Sequence, residues 1–400
     1  MTRARTRTAW LCAVALLSVT LQTTGAVAAA RPERGCVLTG QHAGGAARTV
    51  RGITRAALSD LDLKAALVKV TIDGRDVVTD AVGTSMYGAP ATPAMHFRTG
   101  SVGIVYMGTV LTQLADEGKV SLDDPVSRWL PWVPHGKKIT LRMLGASTSG
   151  LHDYVTDPAF LAVLNAHPFK HWTPRELLAF PFRHTLWYEP GTNWSYSHAN
   201  FVLLGLALEK ITGVRLDHLL QERVMDPLDL RQTRNGYTPA IPAPVLHAYQ
   251  VVGDINQEST YWDPSWTTAP GAVLTQDICD LARSAEGIGA GELLSEQGYK
   301  TQLDPGTVGL GKPTANCPAT ICLPQTPDSH FGLGVIYKDG WVLSNPSFSG
   351  YAAIQAYLPE QRLAIAVSTT TGPNAPSDNT AVTIAERISQ ALAPDNPLTN

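Results

Sequence analysis

Ser101 is the side chain in this sequence best placed to do chemistry. It closes the run Phe97-Arg98-Thr99-Gly100-Ser101 and stands at the mouth of a long helical pattern, Val102 to Glu117. Val102, Val105, Tyr106, Val110, Leu111 and Leu114 fall close to the i, i+3, i+4, i+7 rhythm of a helix with one buried face. A serine there has two possible roles. As an N-cap, its hydroxyl accepts a backbone N–H of the first turn. As a nucleophile, its oxygen gains from the positive end of the helix dipole. A nucleophilic serine also needs a base, and one helical turn on stands Ile104, which has no proton-accepting atom.

Several elements must position Ser101. Residues 31–54 are rich in Gly, Ala and Arg and form a loosely packed lead-in, and Ile53 to Ala66 reads as a short amphipathic helix. A hairpin comes next, Ala66 to Ile72 and Val77 to Thr79, about the turn Asp73-Gly74. The Ser101 helix ends at Gly118, a C-cap. Thr140 to Leu144 starts another short helix, and residues 152–190 read as short helices and loops over a cleft. Trp194-Ser195-Tyr196-Ser197-His198 leads into a clear helix, Phe201 to Ile211, closed by Gly213. The last third returns to strands, at Gly332 to Tyr337, Gln355 to Leu358 and Leu363 to Thr369, and ends in an amphipathic helix, Ala381 to Leu392. Sheet, helices, sheet, helix is the order of an α+β fold. An antiparallel sheet is built from residues of about 50–100 and 270–395, flanked by helices, with an all-helical insertion of about 120–268.

Charge is nearly balanced, at a formal −3, so nothing points to nucleic acid as a partner. Residues 1–30 read as a secretory signal peptide: Arg3, Arg5 and Arg7, an apolar core from Ala9 to about Leu21, then Ala26-Val27-Ala28-Ala29-Ala30. The mature chain is then 31–400, secreted, with no stable membrane span. Four cysteines remain, Cys36, Cys279, Cys317 and Cys322, in an oxidising compartment that permits three pairings. The short Cys317–Cys322 spacing favours a small loop, which leaves Cys36 with Cys279. No histidine pair stands at ligand spacing near them, so neither a metal nor another cofactor is expected. The Trp129/Trp132 pair reads as core, and His152, Asp153 and Tyr154 as structural hydrogen-bonding residues near the cleft rim.

A series of landmarks in fixed order resembles the serine β-lactamase and penicillin-binding protein superfamily, in its branch of class C β-lactamases, DD-carboxypeptidases and related esterases. They are the Asp73-Gly74 hairpin, Phe97 to Ser101, Glu117 to Pro125, Thr148-Ser149-Gly150-Leu151, Pro190-Gly191-Thr192, Tyr196-Ser197 with Leu203-Leu204-Gly205, and Gly350-Tyr351. That family works with three clusters. Ser-x-x-Lys supplies nucleophile and base. Tyr-x-Asn supplies a proton carrier and an amide. His/Lys-x-Gly on a neighbouring strand supplies charge or hydrogen bonds to the substrate.

The resemblance implies that Ser101 and Tyr196 occupy the nucleophile and tyrosine positions, but each cluster is altered. Ile104 stands in place of the lysine and His198 in place of the asparagine. Aligned on Gly350-Tyr351, the third cluster falls on Ser344-Asn345-Pro346, and Ser147 replaces the usual histidine before Thr148. The resemblance implies one of two functions. One is a catalytically impaired relative that binds a cell-wall peptide or another small ligand in the inherited cleft. The other is a rewired hydrolase or acyltransferase in which His198 serves Ser101 as base, with Tyr196 assisting. A surviving β-lactamase would have to borrow a lysine such as Lys137, Lys138 or Lys170, none at helical spacing from Ser101.

Overall fold

The Asp73-Gly74 turn has both residues at positive φ, 53° and 68°, as a two-residue hairpin with right-handed strand twist requires. It joins β1 (Leu63–Ile72) to β2 (Arg75–Gly83). The computed structural model describes residues 1–2, 35–40, 44–86 and 88–399. The expected signal peptide falls, from residue 3 onward, outside the described residues. The unit that carries the fold starts at Cys36.

Preceding the hairpin is α1 (Gly45–Asp60). It starts eight residues before the helix expected from the sequence, and Leu63 to Ala66 belong to β1. The buried face of α1 is Ala47, Val50, Thr54 and Ala57. The first turns of α1 lie inside the Gly-, Ala- and Arg-rich stretch, whose composition reads as a lead-in and masks the start of the helix. After β3 (Phe97–Gly100) comes α2 (Val102–Asp116), then the short helices α3 (Leu141–Gly145), α4 (Pro158–Ala166) and α5 (Pro174–Leu178). α6 (His198–Thr212) and α7 (Leu216–Leu220) come next. β4 (Arg234–Gly236), β5 (Tyr249–Val252), β6 (Ile255–Glu258) and β7 (Val273–Gln276) return the chain to α8 (Ile278–Gly289) and α9 (Glu296–Leu303).

The final segment holds β8 (Ser329–Phe331), β9 (Ile336–Lys338), β10 (Trp341–Ser344), β11 (Ser347–Phe348), β12 (Tyr351–Leu358), β13 (Leu363–Thr371) and α10 (Thr380–Leu392). The single strand expected at Gly332 to Tyr337 is thus two strands about a turn, in which Gly334 sits at φ 75° and Gly332 donates to the Val335 carbonyl. β10 comes after Asp339-Gly340, a second Asp-Gly turn with both residues at positive φ.

The main sheet runs β2-β1-β13-β12-β10-β9-β8, and its strand pairs are antiparallel, with β11 beside β12. Val68 opposes Val367, and Ile354 opposes Val367 from the other side. β1 is buried on both faces, so its alternation sorts one core from another. Ala65 and Leu67 join the large core shared with α2 and α6. Ala66, Val68 and Val70 join a second core closed by Val50 and Ala57 of α1 and Ile384 and Ile388 of α10. The disulfide Cys36–Cys279 ties the start of this unit to α8, and Cys317–Cys322 closes a small loop, matching the expected pairing. Trp129 is half-buried under the Arg128 guanidinium, but Trp132 is 54% exposed, so the expectation of a core pair fails for Trp132.

Behind α2 lies a buried polar network with a measurable consequence. Tyr106 donates to Ser284, and Gln276 donates to Tyr106 and Thr233. Asp280 accepts from the Gln232 amide and the Thr233 hydroxyl. Burial, aided by Asp277, pushes the Asp280 carboxyl up to about 6. A carboxyl raised above its unfolded value contributes stability that is complete below pH ~4 and is lost as pH rises through about 6. Asp280→Asn keeps an acceptor and removes the charge. Its stability relative to wild type is expected to improve by roughly 1–3 kcal/mol between pH 5 and 7.5, read by urea denaturation at each pH. His96 and His152, both lowered mainly by burial, act with the opposite sign in this window, so the difference between the two proteins is the quantity to follow. A difference independent of pH would disprove it.

Candidate ligand cleft

Ser101 precedes α2 with helical backbone angles, and its side chain makes no cap hydrogen bond. The capping role is therefore not the one this hydroxyl plays. It faces a cleft of about 500 Å³, also lined by Ile104, Trp194, Tyr196 and His198. The cleft lies in the size range of small-molecule sites. The rest of its lining comes from Leu323 to Gln325, from Ser329 to Phe331, from Gly334 and Ile336, and from Ser344 to Ser347. The sheet and the insertion, which carries β4, β5 and β6 and so is not all-helical as expected, bring together the residues that the sequence singled out.

Two stitches hold the Tyr196-Ser197-His198 run. Ser147, itself at φ 57°, donates to the Ser195 carbonyl and accepts from the Ser197 amide and the Asn200 side chain. Ser197 caps α6, accepting from the Ala199 amide while its hydroxyl donates to the His152 carbonyl. Ser147 thus works as a structural anchor where the family's histidine would stand.

Tyr196 is packed edge-on against Phe331 and close to Phe201. Its phenol interacts with the Ser101 hydroxyl. Burial and then the Asp153 carboxylate drive its pKa far above the ordinary tyrosine value, against the smaller opposing pull of Ser101. At neutral pH it is a phenol and not a phenolate, so it can donate or relay a proton but not act as a strong base.

His198 is turned toward a different partner. Its Nδ1 lies 3.0 and 3.1 Å from the two Asp153 carboxylate oxygens, and its backbone N–H also donates to Asp153. The ring meets the Tyr196 ring edge to face at 5.0 Å. No hydrogen bond joins Ser101 to His198 among the described residues. Asp153 hydrogen-bonds, as expected from sequence, and its partner is His198. Its position beside Leu151 and His152 gives no hint that an α6 histidine lies opposite.

On the sheet side, Ser344-Asn345-Pro346 does line the cleft, where the family alignment puts it. Pro346 has no N–H, and its side chain lies 3.6 Å from where a Cβ on Gly100 would stand. Asn379, the N-cap of α10, donates to the carbonyls of both Asn345 and Pro346. Two main-chain carbonyls at this edge are therefore already engaged. Asn379 is inconspicuous in the sequence because an N-cap next to a helix calls for no further role. His330 also lines the cleft, with Nδ1 3.0 Å from the Thr326 carbonyl.

The wall from Leu323 to Gln325 adjoins the loop closed by Cys317–Cys322. Asn193 pins that region, accepting from the Gly311 and Lys312 amides and donating to the Lys312 carbonyl. Of the tryptophans in this part of the fold, Trp194 lines the cleft, Trp187 stacks on His152 at 3.7 Å, Trp266 stacks on Phe348 at 5.7 Å, and Trp262 is buried. Lys138 and Lys170 pair with Glu189 and Glu176, and none of Lys137, Lys138 and Lys170 lines the cleft. No cluster of three or more metal-ligating side chains occurs among the described residues.

A serine at the mouth of a buried helix, facing a tyrosine from an inserted helical layer across the end of an antiparallel sheet, defines the serine β-lactamase and penicillin-binding protein type of fold. The family model described as Beta-lactamase matches residues 50–388, and the chain belongs to that family. A penicillin-binding protein of Bacillus subtilis is 24% identical over 225 residues, 55% of this chain and 54% of that protein. The teichoic acid D-alanine hydrolase of Staphylococcus aureus is 28% identical over 146 residues, 36% of this chain and 34% of that protein. The chain thus spans about half or less of the length of these curated relatives. Among solved structures, the D-stereospecific amidohydrolase from Streptomyces sp. has a TM-score of 0.70 and 26% identity, covering 86% of this chain and 98% of that one.

Proposed function

We propose that this protein is an extracytoplasmic, non-hydrolysing member of its family that binds a small or peptide-like ligand in the inherited cleft. The observation that carries the reading is the surrounding of Ser101. Its hydroxyl meets a neutral phenol, Ile104 replaces the base, and no lysine, arginine, aspartate or glutamate is among the described residues lining the cleft. Loss of a general base removes about 10²–10⁴-fold of rate. Members of a catalytic group are strongly non-additive, so one absence can remove most of the rest. One relative named above is a teichoic acid D-alanine hydrolase and another a D-stereospecific amidohydrolase, so a ligand with a D-configured acyl or amide group is the natural candidate. Two disulfides support an oxidising location, and no helix among the described residues is long and apolar enough to cross a membrane.

One observation favours a second reading. The Asp153–His198 pair resembles the orienting half of a hydrolytic triad, and Tyr196 could carry a proton between His198 and Ser101. Incubation with a fluorescent penicillin and with p-nitrophenyl acetate, then intact mass, separates the two. The expected result is no adduct on Ser101 with either reagent after an hour. An adduct that disappears in Ser101→Ala would establish the second reading.

A further inference from the structure

We propose that the cleft selects ligands that present an ammonium group or a neutral N–H donor, and rejects carboxylates; this rests on the binding reading above and names the ligand class. Three features point the same way. No cationic side chain is among the described residues lining the cleft. The strand segment Ser344 to Pro346, where the family places its cationic or hydrogen-bonding cluster, supplies only uncharged side chains. Pro346 has no N–H, and the Asn345 and Pro346 carbonyls already accept from Asn379. A desolvated carboxylate would have no charge partner there, which is costly.

The third feature is the state of the two imidazoles. His198 and His330 both line the cleft. Each has Nδ1 against an atom that can only accept, the Asp153 carboxylate and the Thr326 carbonyl. Nδ1 therefore carries a proton in each ring, and in the neutral ring Nε2 carries the lone pair. Neither Nε2 has a hydrogen-bond partner among the described residues. The cleft then presents two acceptors on an apolar wall of Ile104, Trp194 and Phe331. Asp153, behind His198, adds negative charge and makes that pair neutral at most. An aromatic or aliphatic body with an N–H head fits this lining.

The test uses three probes of one shape, 3-phenylpropylamine, 3-phenylpropionamide and 3-phenylpropionate. They are titrated by calorimetry and tryptophan fluorescence at pH 8.5, above the range in which imidazoles titrate. The amine and the amide are expected to bind at least about tenfold tighter than the carboxylate. Asn345→Lys, at an exposed position on the cleft wall, is expected to reverse that order. His330→Leu is expected to weaken amine and amide binding and leave the carboxylate unchanged. Equal or tighter binding of the carboxylate to the wild-type protein would overturn the inference. No binding by any probe at millimolar concentration overturns both this inference and the binding reading. A Ser101 adduct in the mass experiment, with the amine preference retained, overturns only the non-hydrolysing reading and supports the selectivity.

Discussion

Gly103→Ala is expected to destabilise the protein by about 3 kcal/mol and to displace Ser101 from the cleft. A Cβ at Gly103 would stand 2.0 Å from the Ala272 carbonyl oxygen and 3.0 Å from its carbon. That obstacle is backbone, so it cannot rotate away as a side chain would. One face of α2 is thus pressed against the segment before β7. A second glycine, Gly108, makes the same approach to the Leu333 carbonyl, at 2.0 Å. Leu333 sits in the turn between β8 and β9, whose next residue, Gly334, lines the cleft. The two glycines set the depth at which α2 sits, and Ser101 sits at its mouth. Gly52→Ala in α1 is the matched control. A Cβ there meets nothing within 4 Å in an ordinary helical turn, so the same change should stabilise by roughly 0.5–1 kcal/mol. Urea midpoints moving in opposite directions for the two variants would bear this out. A neutral Gly103→Ala would show that α2 slides freely.

Features carried by local chemistry are legible in the sequence. The Asp73-Gly74 hairpin, the run of α2 and the α6 helix with its Gly213 cap, at φ 72°, arise from turn residues and a 3.6-residue period. That Ser101, Tyr196 and His198 share one cleft is implied by the order of the landmarks. Where the sequence is mute, the missing information lies in small or polar residues with a tertiary role. α1 begins inside a Gly-, Ala- and Arg-rich stretch that reads as a lead-in, so its start is missed. The break at Gly332 to Val335 exists because Gly334 packs on the Ile104 carbonyl, a contact made across the fold. Asp339-Gly340 carries the same turn signal as Asp73-Gly74 but stands inside a stretch without clear alternation. Partner identity is the least legible property. That Asp153 holds His198, and that Asn379 occupies two carbonyls of the cleft edge, are facts of assembly between segments far apart in the chain.

Ile104→Lys is expected to leave the protein unlabelled by fluorescent penicillin and to lower its stability by about 2 kcal/mol or more. Ile104 is 2% exposed and packs in the main core, with its side chain also at the cleft. A lysine there loses the apolar contacts. Its ammonium must either reach cleft water along its own stem or give up its proton. A deprotonated lysine is what an acylating site requires, yet the groups that would steer it toward Ser101 have changed. His198 is committed to Asp153 through Nδ1, and it has no amide oxygen to receive the ammonium. Even a correctly placed amine would activate Ser101 toward a substrate that lacks its docking edge, since Pro346 offers no N–H and Asn379 occupies the adjacent carbonyls. Loss of the general base alone is worth about 10²–10⁴ in rate, and the groups act as a unit, so restoring one does not restore the others. Labelling is therefore expected only when Ile104→Lys is combined with His198→Asn and with Ser344→His and Pro346→Gly. If the single substitution restores a Ser101 adduct within an hour, the edge and His198 are not what silences the site, and Ile104 alone accounts for the loss.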